Sequence, residues 1–97
     1  MTTDTEKLSD GLSPTERLIE AATQQCITQQ GRNPNVQESW PSTRDIAENC
    51  NFSIYKTRYF LLKMAAKGWV QVTPRPVKNA LRWYTCKDLS SDVFPNK

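Results

Sequence analysis

Apolar positions in this chain recur at helical spacing three times and then at strand spacing twice. Ser13-Pro14-Thr15-Glu16 has the form of a capping box with proline at the first helical position. Leu18, Ile19, Ala22, Cys26 and Ile27 follow on one stripe, and Gly31 offers a stop. A first helix over about residues 14–30 is predicted. The polar stretch 31–41 predicts a loop, with a short strand near Trp40. Ser42-Thr43-Arg44-Asp45 repeats the capping pattern, and Ile46, Ala47 and Cys50 mark a short second helix. Asn51 and Phe52 form a tight turn, and Ser53 caps a third helix that carries residues 54–67 and stops at Gly68.

The pattern then changes period. Trp69-Val70-Gln71-Val72-Thr73 is rich in strand formers, residues 74–79 hold two prolines in a turn-rich tip, and residues 80–86 read as the returning strand. A short helix, a tight turn and a longer helix make a helix-turn-helix. The hairpin that follows makes the winged variant. The expected fold is therefore α+β: a winged helix-turn-helix of three helices and a C-terminal wing. Residues 1–12 and 88–97 lack periodicity and are expected to be flexible tails around one domain at 13–87.

Charge sharpens this picture. From Cys50 to Lys87 there are eight basic residues and no acidic one, whereas Met1 to Asn49 holds four basic and eight acidic residues. A modest net charge of +3 thus hides two oppositely charged halves. A folded helix and hairpin of one sign create a one-signed potential, and the natural partner is a polyanion. An ordinary solvated helix mixes signs to form pairs along its face.

Other classes are disfavoured. No apolar run reaches the roughly 18–20 residues of a membrane span, and the N-terminus does not resemble a secretory signal. Three widely spaced cysteines (Cys26, Cys50, Cys86) suggest neither a disulfide framework nor structural zinc, and the chain has no histidine. They read as reduced core residues of a cytoplasmic protein. No nucleophile and base sit at a recognisable spacing, and three glycines make no phosphate-cradling loop. No enzyme activity, cofactor, metal or small-molecule ligand is expected.

On an ideal wheel of about 100° per residue, Ile54, Thr57, Phe60, Leu61 and Met64 face the first two helices. Tyr55, Tyr59, Leu62, Lys63 and Ala66 face outward, with Lys56 and Arg58 on the flanks. Tyr and Lys suit phosphates, and Arg suits a purine edge in the major groove. Ser53 and the helix N-terminus can also approach a phosphate. Thr43 and Arg44 at the start of the second helix are further candidate contacts. In the wing, Arg75, Lys78 and Arg82 are expected at the DNA backbone or minor groove. Trp40, Trp69, Leu81 and Trp83 are expected to pack.

The run STRDIAENCNFSIYKTRYFLLKMAAKGWVQVTP resembles the FaeA/PapI-like winged-helix regulators of fimbrial operons in enteric bacteria. The resemblance rests on Ile46-Ala47-Glu48, Tyr55, Arg58-Tyr59 with Phe60-Leu61-Leu62, Gly68-x-Val70, and Thr73-Pro74 before the wing. It continues to Trp83. It implies a small transcriptional regulator whose third helix is the recognition helix, with Tyr55, Lys56, Arg58, Tyr59 and Lys63 as contacts. It implies double-stranded DNA as partner. For some members it also implies a global co-regulator, the leucine-responsive regulatory protein, at sites of adenine methylation. The chain departs from the family in its N-terminal extension, its 31–41 loop, and a wing of Arg75-Pro76-Val77-Lys78-Asn79 where members often carry Arg-Arg-Gly. Trp40-Pro41-Ser42-Thr43-Arg44-Asp45-Ile46-Ala47 is also similar to the start of GntR-type winged helices, which implies the same fold. A DNA-binding transcriptional regulator is the leading expectation. The alternative is a winged-helix adaptor that acts on another DNA-bound regulator, since fold alone does not settle function.

Overall fold

A computed structural model of the protein describes residues 11–85. Three helices precede an antiparallel hairpin: α1 (Pro14–Gln29), α2 (Thr43–Cys50), α3 (Ile54–Ala66), β1 (Val70–Val72) and β2 (Trp83–Thr85). This is the winged helix-turn-helix that the hydrophobic pattern predicts.

The local signals act as their chemistry requires. Ser13 and Glu16 close a reciprocal capping box on α1, at 3.1 and 2.9 Å. Ser42 and Asp45 do the same on α2, at 3.1 and 3.0 Å. Ser53 accepts from the Lys56 N–H at 3.0 Å to start α3. Two helices end in the same left-handed turn. Arg32 N–H reaches back to the Ile27 carbonyl (2.9 Å) past Gly31, and Trp69 N–H reaches Met64 (2.9 Å) past Gly68. Gly31 and Gly68 have φ of 103° and 87°, which a side chain disfavours. Between α2 and α3, Asn51 takes the left-handed conformation (φ 61°), so the helix-turn-helix corner needs no glycine.

The main core gathers Leu12, Ile19, Ala22, Cys26, Ile46, Leu61, Met64, Val70 and Trp83 from all three helices and both strands. Trp40, Ile27 and Tyr84 form a second cluster, with the Trp40 and Tyr84 rings 5.1 Å apart. Burial raises the Cys26 pKa, with the charge of Asp45 and then Cys50 adding to the effect. Cys26 and Cys50 are free thiols; Cys86 lies outside the described residues.

Four expectations change. Leu12, assigned to a tail, is 6% exposed and belongs to the core; the rest of that tail, 1–10, and residues 86–97 lie outside the described residues. The strand expected near Trp40 is a short 3-10 turn (Gln37–Ser39) followed by a single bridge, Ser42 to Arg82. The strands are shorter than predicted. They pair Val70 with Thr85, Gln71 with Tyr84 and Val72 with Trp83, and then separate around the prolines of the wing. Ile54, placed inward on the ideal wheel, is 41% exposed. It sits in the first turn of α3, before that face meets the body of the domain.

One ion pair joins the two ends of the core. The Lys67 ammonium, just past α3, lies 3.1 Å from the buried Glu16 carboxylate and donates to the Gly11 carbonyl at 3.0 Å. Burial alone would raise the Glu16 pKa. The Ser13 N–H and then Lys67 outweigh it and hold the carboxyl below its ordinary 4.5. A depressed carboxylate pKa stabilises the fold above the unfolded-state value, and the benefit disappears as pH falls through the folded value. The protein should therefore lose stability as pH drops below about 4.5. Glu16→Gln keeps an acceptor for the Ser13 N–H but removes the charge facing Lys67, so it should cost about 0.5–1 kcal/mol at pH 7, the scale of a partly exposed ion pair, and should flatten that acid limb. Urea unfolding at pH 7 and pH 3 checks both.

Candidate nucleic-acid interface

Helix α3 is the second helix of the helix-turn-helix, and its sequence divides cleanly by face. Thr57, Leu61 and Met64 are buried. On the opposite side Tyr55 is 86% exposed, Tyr59 57% and Leu62 45%. Lys56, Arg58 and Lys63 are exposed beside this crest. The outward assignment of Tyr55, Tyr59, Leu62 and Lys63 follows from the 3.6-residue period, and the structure reproduces it. The lysines lean on aromatic rings: Lys56 stands 4.1 Å from the Phe52 centroid, and Lys63 5.3 Å from that of Tyr59. In both contacts the ammonium nitrogen itself stands over the ring, a cation–π attraction at an exposed site.

The wing closes against the other flank of α3. Ser42, Thr43, Arg44, Ile54, Arg58, Pro76, Asn79, Ala80 and Leu81 line one open groove of about 490 Å³. Two arginines, one from the start of α2 and one from α3, thereby share a concavity with the wing tip. No acidic side chain lines it. The tip itself is a two-residue turn. Lys78 and Asn79 have φ of 54° and 68°, and Val77 and Ala80 exchange backbone hydrogen bonds at 2.8 and 3.3 Å. Positive φ at both central positions gives the twist that suits a hairpin, and Asn tolerates it well. This is how the wing turns without a glycine.

The candidate residues are placed unequally. Arg44, Ser53, Tyr55, Lys56, Arg58, Tyr59, Lys63, Arg75 and Lys78 are exposed. Thr43 is half-buried, and its hydroxyl accepts from the Trp83 indole N–H at 2.9 Å. Arg82 is half-buried and internally engaged. Its guanidinium donates to the Val77 carbonyl (2.9 Å) and the Trp40 carbonyl (3.1 Å). It clasps the wing to the segment before α2, a positioning role that its charge in the sequence does not reveal. Lys78 meets Glu38 of the 3-10 turn at 3.7 Å, with both side chains mostly exposed. Glu38 and Ile54 are two site features that the sequence pattern did not offer. Glu38 is forty residues from its partner in the chain, and only the folded wing brings them together. Among the described residues, no cluster of three or more His, Cys, Asp or Glu side chains is placed to hold a metal. No helix there is long and apolar enough to cross a membrane.

Residues 36–80 match the family model described as FaeA-like protein. The matched stretch runs from the 3-10 turn through α2, α3 and β1 to the wing tip. It contains every exposed candidate described above. No curated protein and no solved structure matches the chain.

The clasp generates a stability contrast. Arg82→Ala removes two hydrogen bonds from a charged donor; the Val77 carbonyl keeps the Ala80 N–H, while the carbonyl of buried Trp40 loses its guanidinium partner, so the change should cost about 2–3 kcal/mol. Arg75→Ala, at an exposed wing position, should stay within about 0.5 kcal/mol of the parent. Chemical denaturation of both variants distinguishes an arginine that builds the wing from one that decorates it.

Proposed function

We propose that this chain is a DNA-binding transcriptional regulator of the fimbrial-operon type, with α3 as its recognition helix in the major groove and the wing on the backbone or minor groove. The observation that carries this reading is the shared groove. Arg44 and Arg58 line it together with the wing tip, with no acidic residue among them. A one-signed concavity focuses potential and attracts a polyanion. The FaeA-like match over residues 36–80 supports a regulator rather than an enzyme, and a cytoplasmic location accords with that role.

Within this reading, Lys56 and Lys63 reach phosphates along one margin of α3, and Arg44 does so along the other. Arg58 has the planar fork that suits a purine edge. Tyr55 and Tyr59 stand on the crest. The Ser53 hydroxyl oxygen already accepts from Lys56 N–H, which leaves its proton to donate to a phosphate. Arg75 and Lys78 approach the backbone from the wing. Thr43 and Arg82 serve by holding Trp83 and the wing in place.

Glu38 modulates the wing. Its carboxylate already occupies Lys78, so a phosphate must compete for that ammonium. By the family resemblance, a global DNA-binding co-regulator such as the leucine-responsive regulatory protein acts with it on the same DNA. The runner-up is an adaptor that docks on such a protein and binds little DNA itself. The exposed apolar crest of Tyr55, Tyr59 and Leu62 favours it.

Anisotropy of a labelled random duplex, titrated across a salt series, tests the proposal. The expected log–log slope is about −3 to −6, at roughly 0.9 per phosphate contact. No binding even at low salt leaves only the adaptor. Lys63→Glu should lower affinity severalfold with little change in melting temperature, because its ring contacts are surface contacts worth about 0.5–1 kcal/mol. Glu38→Gln should tighten binding about two- to fivefold at low salt, the scale of an exposed ion pair. Unchanged affinity in Glu38→Gln would place Lys78 away from phosphate.

A further inference from the structure

The polar content of α3 is unusual for a helix that reads base edges. Over Ile54–Ala66 (IYKTRYFLLKMAA) there is no Asn, Gln, Asp, Glu or Ser. The single Thr, Thr57, is buried. The bidentate amide pairing with adenine and the carboxylate pairing with cytosine are therefore both absent from this helix. One guanidinium fork remains, Arg58.

What α3 presents instead is apolar. Tyr55, Arg58, Tyr59 and Leu62 fall at i, i+3, i+4 and i+7, one continuous outward stripe. Four of the six exposed large apolar side chains among the described residues belong to α3. The stripe has cations on both sides. Lys56 and Lys63 lie about two helical turns apart along one margin, and Arg44 and the wing groove lie along the other. An apolar ridge between two basic margins matches the cross-section of a major groove about 12 Å wide, whose floor lies between two phosphate rails. On that floor a single apolar group is displayed, the C5-methyl of thymine.

We propose that α3 selects its site mainly by thymine methyl groups, which pack against Leu62 and Tyr55, with Arg58 as the one bidentate reader of a guanine. This rests on the DNA-binding reading above and names the base chemistry that the same surface takes. Sites should therefore be rich in T steps beside a single G, with the basic margins fixing the register.

The test replaces thymidine by deoxyuridine, which removes the methyl and keeps every hydrogen-bonding group. A duplex is first selected from a random pool by the full chain. Each thymidine in the selected duplex is then replaced singly, and binding is read by anisotropy. The expected result is a loss of about fourfold at each contacted position, the scale of one buried methyl group. In Leu62→Ala or Tyr55→Ala, each exposed in the parent and checked by melting, the difference between T and U should vanish at one of those positions. If every substituted duplex binds as the parent does, methyl readout is overturned and the DNA-binding function stands. A T-to-U difference that survives in both variants overturns the assignment to Leu62 and Tyr55. If the pool yields no bound duplex, both readings fall and the crest belongs to a protein partner.

Discussion

Trp83 holds the two halves of this domain in one geometry. Its side chain is fully buried in the main core. Its indole N–H donates to Thr43 at 2.9 Å, and its backbone N–H donates to the Pro41 carbonyl at 2.9 Å. A single strand residue thus fixes β2 against the start of the helix-turn-helix. Arg82 beside it grips the Trp40 and Val77 carbonyls, and so carries the constraint out to the wing tip. Without these links the hairpin would have its own pairings to hold it, three ladder pairs with the Thr73–Arg82 and Val77–Ala80 bonds beyond them, and a short two-stranded hairpin is marginal by itself.

The constraint explains why a wing with little regular strand can still be positioned. Prolines interrupt the ladder after Thr73, because proline supplies no N–H for pairing. The tip then closes as its own two-residue turn. What joins tip to body is side-chain to backbone bonding rather than a continuous sheet. The groove between wing and α3 inherits its shape from that clasp, and Arg44 and Arg58 meet there because α2, α3 and the wing are all fixed to the same anchor.

Charge is organised by the same architecture. Three of the five acidic residues among the described ones have structural partners: Glu16 and Asp45 cap helices, and Glu38 faces Lys78. Of the basic segment, Lys67 and Arg82 are engaged within the domain, with Glu16 and with wing carbonyls respectively. On the face of α3 and the wing, the exposed cations are those of α3, Arg44, Arg75 and Lys78. Folding thus narrows a long basic sequence to a smaller face with an apolar crest in the middle.

The order of elements was legible in the sequence, and so was the outward face of α3. Ser13, Ser42 and Ser53 announce helix starts, and Gly31 and Gly68 announce stops. These are local rules that act within one turn of chain. The alternation of Tyr55, Tyr59 and Lys63 with Thr57, Leu61 and Met64 follows from helical period alone. Long-range partnership decided the rest. Nothing near Arg82 in the chain reveals that it binds carbonyls at Val77 and Trp40, and nothing near Glu38 points to Lys78. Ile54 obeys the period yet stays exposed, because a wheel gives direction and not the reach of the neighbouring helices. The sequence determined the elements because capping and periodicity are written in adjacent residues. The tertiary structure decided which cations remain free, because that depends on which carbonyls and carboxylates the finished fold brings within hydrogen-bond distance.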